Sequence, residues 1–549
     1  MIKSINIIQY RKLKDLDLDF SPNINAVSGT NGTCKTSLLH IIGNSLQAPT
    51  KGCSWINDTS CLPVIKAVNN VTNPKVESLT RGDKQYNDPA HGVKGHLFSV
   101  DYFDAASLNF RRHNSSTKTR YAVKPKYQPG TSDSLPVAPV IYLGLSRLVP
   151  FGEFQNDSAL MGVKKKLPQS YQDEIARIYK SFTNYDITYN ATQQMGDIKI
   201  RNEFSSNIEG VDSNTISAGE DNLNIILTAL ISLKYYYDSI TSNNSVESVL
   251  LIDEIDATLH PAFQIKLLNL FREMSLAYKI QIIFTTHSMS LLEEMLNKHD
   301  NVIYLHDNVT SVVKMDEPDI YKIKMHLQSL TQEDIYADKV IPLFTEDDEA
   351  RVLLDEIFSY FCNKHPEFIN VNRFFHKVNV NIGAENLCDI FGDGKLLQTT
   401  MRSICILDGD HNSDITKCIV ALPGKKSPEQ LLIDYAEILL TQDDHFWVDK
   451  TIINMGYGKV YYINNIQKAV QDFNADLVTR QAQGQSTKGL KREFNKQLFV
   501  NYKNFFVLLF KHWLNNQDNQ QEVERFYRDL RTLFLKVSQY HEISPNEWA

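Results

Sequence analysis

Four short motifs follow one another over the first 290 residues, and their order constrains the fold more than any bulk property. Gly29-Thr-Asn-Gly-Thr-Cys-Lys-Thr36 lies between a buried apolar run, Ile24 to Val27, and a helical pattern from Thr36 to Ser45. Ser217-Ala-Gly-Glu-Asp221 opens a second helical pattern, Leu223 to Tyr236. Val249-Leu-Leu-Ile-Asp-Glu254 is an apolar strand closed by two carboxylates, and Phe284-Thr-Thr-His287 ends a further strand, Gln281 to Thr285. A glycine-rich turn that leaves a strand and enters a helix is the context of a phosphate-binding loop. The chain is therefore expected to be α/β.

Backbone N–H groups of such a loop and of the helix behind it cradle phosphate oxygens. This makes Asn31, Gly32, Thr33, Cys34, Lys35, Thr36 and Ser37 the candidate ATP-binding residues. Lys35 is placed to reach the β- and γ-phosphates, and the Thr36 hydroxyl to ligate Mg²⁺ with Asp253. Glu254 is positioned to polarise an attacking water, and His287, 33 residues later, to sense the γ-phosphate. Cys34 stands where the loop pattern expects glycine, and a Cβ there crowds the phosphates. The four motifs together resemble those of ABC-type ATPases. That resemblance implies that Ser217, Gly219 and Glu220 form a signature contacting the γ-phosphate held by a second protomer, and that Asp256-Ala-Thr-Leu259 is the D-loop. One protomer cannot supply both halves, so a homodimer or a higher even assembly is expected. An ordinary helix N-cap also suits Ser217. Arg147, in Tyr142-Leu-Gly-Leu-Ser-Arg-Leu148, is a candidate contact to nucleotide or partner.

Bulk properties narrow the class. A net charge of -8 argues against a uniformly basic nucleic-acid binder. Seven scattered cysteines without a CxxC pair indicate neither zinc nor a disulfide framework and fit a reducing cytoplasm. No apolar run approaches the roughly 18–20 residues of a membrane span, and the chain opens on a strand, Ile2 to Ile8, rather than a signal peptide. Residues 50–135 read as an irregular insertion or β-subdomain. There Arg111, Arg112, Lys118, Arg120, Lys124 and Lys126 interleave with Tyr102, Phe103, Phe110, Tyr121 and Tyr127, a pattern that belongs first to a solvated loop and also suits single-stranded or structured nucleic acid. Lys164-Lys-Lys166 is a second small basic cluster.

From about residue 337 a second α/β alternation begins, with strands expected at Val340–Phe344, Val378–Ile382, Ile404–Leu407 and Cys418–Leu422. Its Phe344-Thr-Glu346 and Ile406-Leu-Asp408-Gly-Asp410 resemble the acidic motifs of a TOPRIM domain. Glu346, Asp408 and Asp410 are thus a candidate second metal site, with Lys425 and Lys426 available to a scissile phosphate. Asp347 replaces the glycine expected after Glu346, and Ala350 replaces an expected acid. From about 465 to 540 the chain reads as helical, with an apolar stripe (Leu498, Phe505, Phe506, Leu509, Trp513, Phe526, Leu530, Phe534) expected in the core. The expected division is 1–330 ATPase, 331–440 TOPRIM-like and 441–549 helical.

With no coiled coil in the roughly 180 residues between phosphate loop and signature, the whole resembles soluble ATPases of the OLD family and their anti-phage relatives. The Septu PtuA type comes nearest, and some of its members accompany retrons. The resemblance implies an ATPase that controls an HNH nuclease partner, PtuB-like, and a retron reverse transcriptase where one is present. An OLD-like nuclease cutting with its own TOPRIM domain and a DNA-repair ABC ATPase are the alternatives.

Overall fold

The computed structural model describes residues 1–116, 118–127, 130, 133–154, 156–399, 401–442, 445–487 and 489–548. The chain forms two compact units, Met1–Gln328 and Ser329–Ala549. Among the described residues no helix is long and apolar enough to cross a membrane.

The first unit is built on an eleven-stranded sheet. Its strands are β1 (Ile2–Tyr10), β2 (Leu13–Asp19), β3 (Ile24–Gly29), β4 (His96–Tyr102), β5 (Leu108–Asn114), β6 (Tyr121–Lys126) and β7 (Val140–Leu143). A separate three-stranded sheet, order β10-β9-β8, follows in sequence: β8 (Leu160–Gly162), β9 (Ile187–Met195) and β10 (Lys199–Ser206). The large sheet is completed by β11 (Ser248–Ile252), β12 (Ile280–Thr285), β13 (Asn301–Asp307) and β14 (Val312–Lys314), in the order β6-β5-β4-β1-β2-β14-β13-β3-β12-β11-β7.

Strands β13, β3, β12, β11 and β7 run parallel. They read as continuous apolar runs because both faces are covered. Leu250 and Ile252 of β11 enter one core, and Val249 and Leu251 the other, all fully buried. The register places Ile252 beside Phe284 and Thr285 beside Val27. The carboxyl ends of β3, β11 and β12 therefore share one edge, where open α/β sheets carry their ligands.

Of the two readings of residues 50–135, irregular insertion or β-subdomain, the second is the nearer, although its strands belong to the main sheet. Strands β4, β5 and β6 continue the main sheet as an antiparallel wing through β1, and Cys61–Val68 is a helix. The aromatics interleaved with the cations there divide between core and surface, with Phe103 and Tyr121 half-buried and Tyr127 exposed. Tyr102 and Phe110 are buried, Phe110 stacks on Phe98, and Arg112 is spent on Asp88 and the face of Tyr121. Alternation along an edge strand mimics a binding stripe, because every second aromatic must face inward.

The second unit holds a four-stranded, all-parallel sheet in the order β16-β15-β17-β18: β15 (Ile341–Thr345), β16 (Phe375–Lys377), β17 (Ile404–Leu407) and β18 (Ile419–Ala421). The strand expected at Val378–Ile382 lies three residues earlier, at β16, and Val378–Ile382 itself is the loop after it. Helices Asp348–Lys364, Pro428–Gln442, Leu490–Asn501, Lys503–Asn515 and Gln520–Val537 surround the sheet. One continuous core runs from Tyr336 to Trp548 and contains every residue of the expected stripe. Trp548 is fully buried against Phe368 and Phe534, and its indole N–H donates to Tyr527 Oη at 3.0 Å.

Candidate functional site

The phosphate loop leaves β3 at Gly29, where φ is 146° and a Cβ would lie 2.2 Å from the Leu305 carbonyl oxygen. Only glycine fits there. Gly32 follows with φ 84°, and Cys34 with φ 62°, ψ 26°, before the helix Lys35–Asn44 begins. Cys34 thus occupies a left-handed position, the backbone reason glycine is expected there. Asn31 is exposed at the loop tip, Thr33 Oγ1 donates to the Thr30 carbonyl at 2.8 Å, and Ser37 Oγ accepts from Arg11 at 3.1 Å. The Lys35 ammonium donates to the Gly29 and Thr30 carbonyls at 3.0 and 3.1 Å, which holds it across the mouth of the loop. Burial lowers its pKa against the pull of Asp253 and Glu254.

Thr36 joins the ends of β11 and β12. Its hydroxyl donates to Asp253 Oδ2 at 2.8 Å, Asp253 Oδ1 accepts from Thr285 Oγ1 at 2.7 Å, and Thr285 Oγ1 accepts the Glu254 N–H at 2.7 Å. A hydroxyl and a carboxylate oxygen held together are hard ligands suited to Mg²⁺. Glu254 has φ 49°, so the chain turns sharply right after the strand. Asp256 accepts from Thr286 Oγ1 at 2.7 Å and from the His287 N–H at 3.2 Å, which fixes the backbone that carries the imidazole. Burial, with Lys35 nearby, lowers the His287 pKa and favours the neutral ring.

Ser217 caps the long helix Ala218–Asp238 in a reciprocal box. Its Oγ accepts from the Glu220 N–H at 3.2 Å, and Glu220 Oε2 accepts the Ser217 N–H at 3.0 Å. Glu220 also accepts from Tyr185 Oη at 3.0 Å. A Cβ on Gly219 would lie 2.4 Å from the Thr258 carbonyl oxygen, so glycine lets the segment after Glu254 pass close to the helix start. Arg147 does not reach outward to nucleotide or partner as expected. It is buried, with Nε donating to Asn222 Oδ1 at 2.9 Å and Nη2 to the Glu254 carbonyl at 2.9 Å. Asn222 Nδ2 in turn donates to the Ala257 carbonyl at 3.1 Å. Arg147 is thus a tie between signature helix and strand end, and burial drops its pKa to about 10.

In the second unit Glu346 and Asp408 meet at the ends of the adjacent strands β15 and β17. Both are buried, and Glu346 Oε1 accepts the Asp408 N–H at 2.9 Å. Burial, then Glu346, raises the Asp408 pKa to about 9, and its Oδ1 is buried without a hydrogen-bond partner. A carboxylate held in that condition fits a divalent cation. Strand β17 ends at Leu407, so Asp410 comes from a turn and not from strand alternation, and it is exposed. Gly409 permits the turn, because a Cβ would lie 2.7 Å from the Lys426 carbonyl oxygen. Asp410 still lines the same cavity of about 420 Å³ as Glu346 and Asp408. Lys425 and Lys426 line it too, but pair with Glu522 and Asp434.

Other groups gather beside this pair, and of them only the acidic run after Glu346 showed in the sequence. Asp347, Glu349 and Glu429 bring carboxylate oxygens within 4.8 Å of one another. Lys496 pairs with Asp347 and Glu349, Arg492 lies 3.5 Å from Glu346, and His411 Nε2 lies 3.5 Å from it. Burial of Asp347 is outweighed by the hydrogen bond from Lys496, which holds its pKa low, while burial raises that of Glu349. Arg492 and Lys496 are four apart on the helix Leu490–Asn501 and so share a face. That spacing was the available sign, but nothing local ties a helix some 150 residues away to Glu346.

With the phosphate loop, the acidic strand end and the strand before His287 on one parallel-sheet edge, and the helix begun by Ser217 beside the segment after Glu254, the first unit has an ABC ATPase head-like fold. Residues 201–293 match the sequence model of a family described as "AAA domain, putative AbiEii toxin, Type IV TA system". No curated protein matches the chain. Similar solved structures include an SMC head bound to the C-winged helix domain of ScpA (13% identity, 58% of this chain and 99% of that one, TM-score 0.35). Others are the SMC head domain from Thermotoga maritima (11% identity, 57% and 99%, TM-score 0.31) and the recombination mediator protein RecF-ATPrS of the RecFOR pathway (12%, 58% and 98%, TM-score 0.33). At such low TM-scores the likeness extends to neither substrate nor partner.

Proposed function

We infer that this chain is the ATP-hydrolysing subunit of a bacterial anti-phage defence complex. In this reading two heads close on ATP and hold a nuclease partner of the HNH, PtuB-like kind in check, together with a reverse transcriptase and its DNA where a retron is present. The observation that supports the ATPase part is the hydrogen-bonded series Thr36–Asp253–Thr285–Glu254. Magnesium bound with ATP supplies neutralisation of the β- and γ-phosphate charge. Lys35 binds the same phosphates, Glu254 takes the proton of the attacking water, and neutral His287 orients that water against the γ-phosphate. Ser217, Gly219 and Glu220 of a second protomer complete the site, in keeping with polar contacts of Ser217 and Glu220 that go to one another and to Tyr185. Glu254→Gln is expected to cut phosphate release by about 100-fold or more and to accumulate an ATP-dependent dimer in light scattering. A variant that hydrolyses at the parental rate would remove Glu254 from its role.

A second reading has an observation of its own. The Glu346–Asp408 pair with an unpartnered buried oxygen favours a TOPRIM-like domain (331–440) that binds Mg²⁺ or Mn²⁺ and cleaves DNA itself. The Lys496 ammonium among Asp347 and Glu349 weighs the other way, because it already supplies the cation that group needs. Plasmid and single-stranded DNA incubated with the purified chain and Mn²⁺ separate the two. The partner reading expects intact DNA with ATP turnover preserved, and nicking abolished by Asp408→Ala would replace it with the nuclease reading.

A further inference from the structure

A cavity of about 200 Å³ lies in the first unit between the signature helix, β10 and the segment after β7. None of the phosphate-loop residues lines it. Three cationic side chains do: Arg147, Lys199 and Arg201, each at most 3% exposed. Lys199 is neutralised by Asp221, and Arg147 is consumed by Asn222 and carbonyl oxygens. Arg201 is different. Its Nη2 donates to the Ser213 carbonyl and Phe151 stacks over it at 4.1 Å, but Nε and Nη1 are buried without a hydrogen-bond partner. No carboxylate lies within ion-pair distance of Arg201 among the described residues. The one carboxylate lining the cavity, Asp197, is exposed to solvent.

An unpaired guanidinium at this depth costs several kcal/mol unless something anionic or strongly accepting meets it. We propose that the cavity is a second ligand site, which takes a small oxyanion, a phosphate- or carboxylate-bearing metabolite, on Arg201. At about 30 Å³ per water the space holds roughly seven waters, enough for a phosphate carrying two or three carbons and too little for a nucleotide. The site is wired to the ATPase. Lys199 Nζ donates to the Arg147 carbonyl at 3.2 Å, and the Arg147 side chain reaches both the Glu254 carbonyl and Asn222. An anion that draws on β10 therefore shifts the residue that holds the strand end against the signature helix.

The test uses the full chain carrying Lys35→Ala, so that the phosphate loop does not answer. The probes are inorganic phosphate, glycerol phosphate and malonate, each against chloride at equal ionic strength. A probe at about 100 times its Kd is expected to raise the thermal midpoint by about 3 °C. The phosphate arms and malonate tell which oxyanion is preferred. Arg201→Met and the cavity-filling Ile200→Phe both abolish the rise, so failure of one variant to fold leaves the other to decide. No rise above chloride, or a rise that survives in a folded variant of either kind, overturns the site. In the chain with Lys35 intact, the binding probe is expected to change ATP turnover at least twofold, and unchanged turnover overturns the link to Glu254.

Discussion

Cys34 is the residue at which this phosphate loop departs from its pattern, and its cost is a backbone matter before it is a steric one. A side chain held at φ 62° costs about 1–2 kcal/mol relative to glycine. Restoring glycine would also free the unfolded chain, which opposes the gain by about 0.4–1 kcal/mol. Cys34→Gly is therefore expected to move the thermal midpoint by no more than a degree or two, while removal of the Cβ beside the phosphates tightens ATP binding and raises turnover at least twofold. Phosphate release and nucleotide titration check this, and unchanged values for both would show that the loop accommodates the thiol at no functional cost. Lys35, Thr36, Asp253, Glu254 and His287 were all legible in the sequence, because each stands in a fixed place at the end of a strand or the start of a helix. Arg147 was legible as a residue of the site but not in its direction. Only packing turns it inward to the Glu254 carbonyl.

At the scale of elements, the ends of β15 and β17 set two carboxylates against each other, and the pH dependence follows from Asp408. Its pKa of about 9 lies far above the ordinary carboxylate value of 3.8. Between those two values the folded chain holds a proton that the unfolded chain has released, so stability falls as pH rises through the window. In EDTA, melting of the second unit is expected to drop by several degrees between pH 6 and pH 9. Asp408→Asn flattens the profile, and Mn²⁺ restores the midpoint at high pH. A parental profile already flat over that range would mean that Asp408 is ionised throughout. The strand order here could not be read from the sequence. Strands of three to five residues, such as β16 and β18, give too little pattern to fix their limits, and so the strand expected at Val378–Ile382 lies at Phe375–Lys377 instead.

For the whole molecule, Met1–Gln328 and Ser329–Ala549 each enclose cores of their own. Calorimetry of the full chain is expected to resolve two transitions, with ATP and Mg²⁺ raising one and Mn²⁺ in the absence of nucleotide raising the other. A single transition moved equally by both ligands would mean that the units unfold as one. The sequence by itself determined where the residues behind the nucleotide reading stand. A glycine loop, an acidic strand end and a histidine after a buried strand are local patterns, and a parallel strand buried on both faces announces itself as an apolar run. It also placed the aromatic stripe of the last helices in a core. Only the tertiary structure decided that β4, β5 and β6 extend the main sheet, that Arg492 and Glu429 join Glu346, and that Arg201 is left with unpaired N–H groups. Those contacts join residues far apart in the chain, and whether a charge is paired or stranded depends on what folding brings beside it.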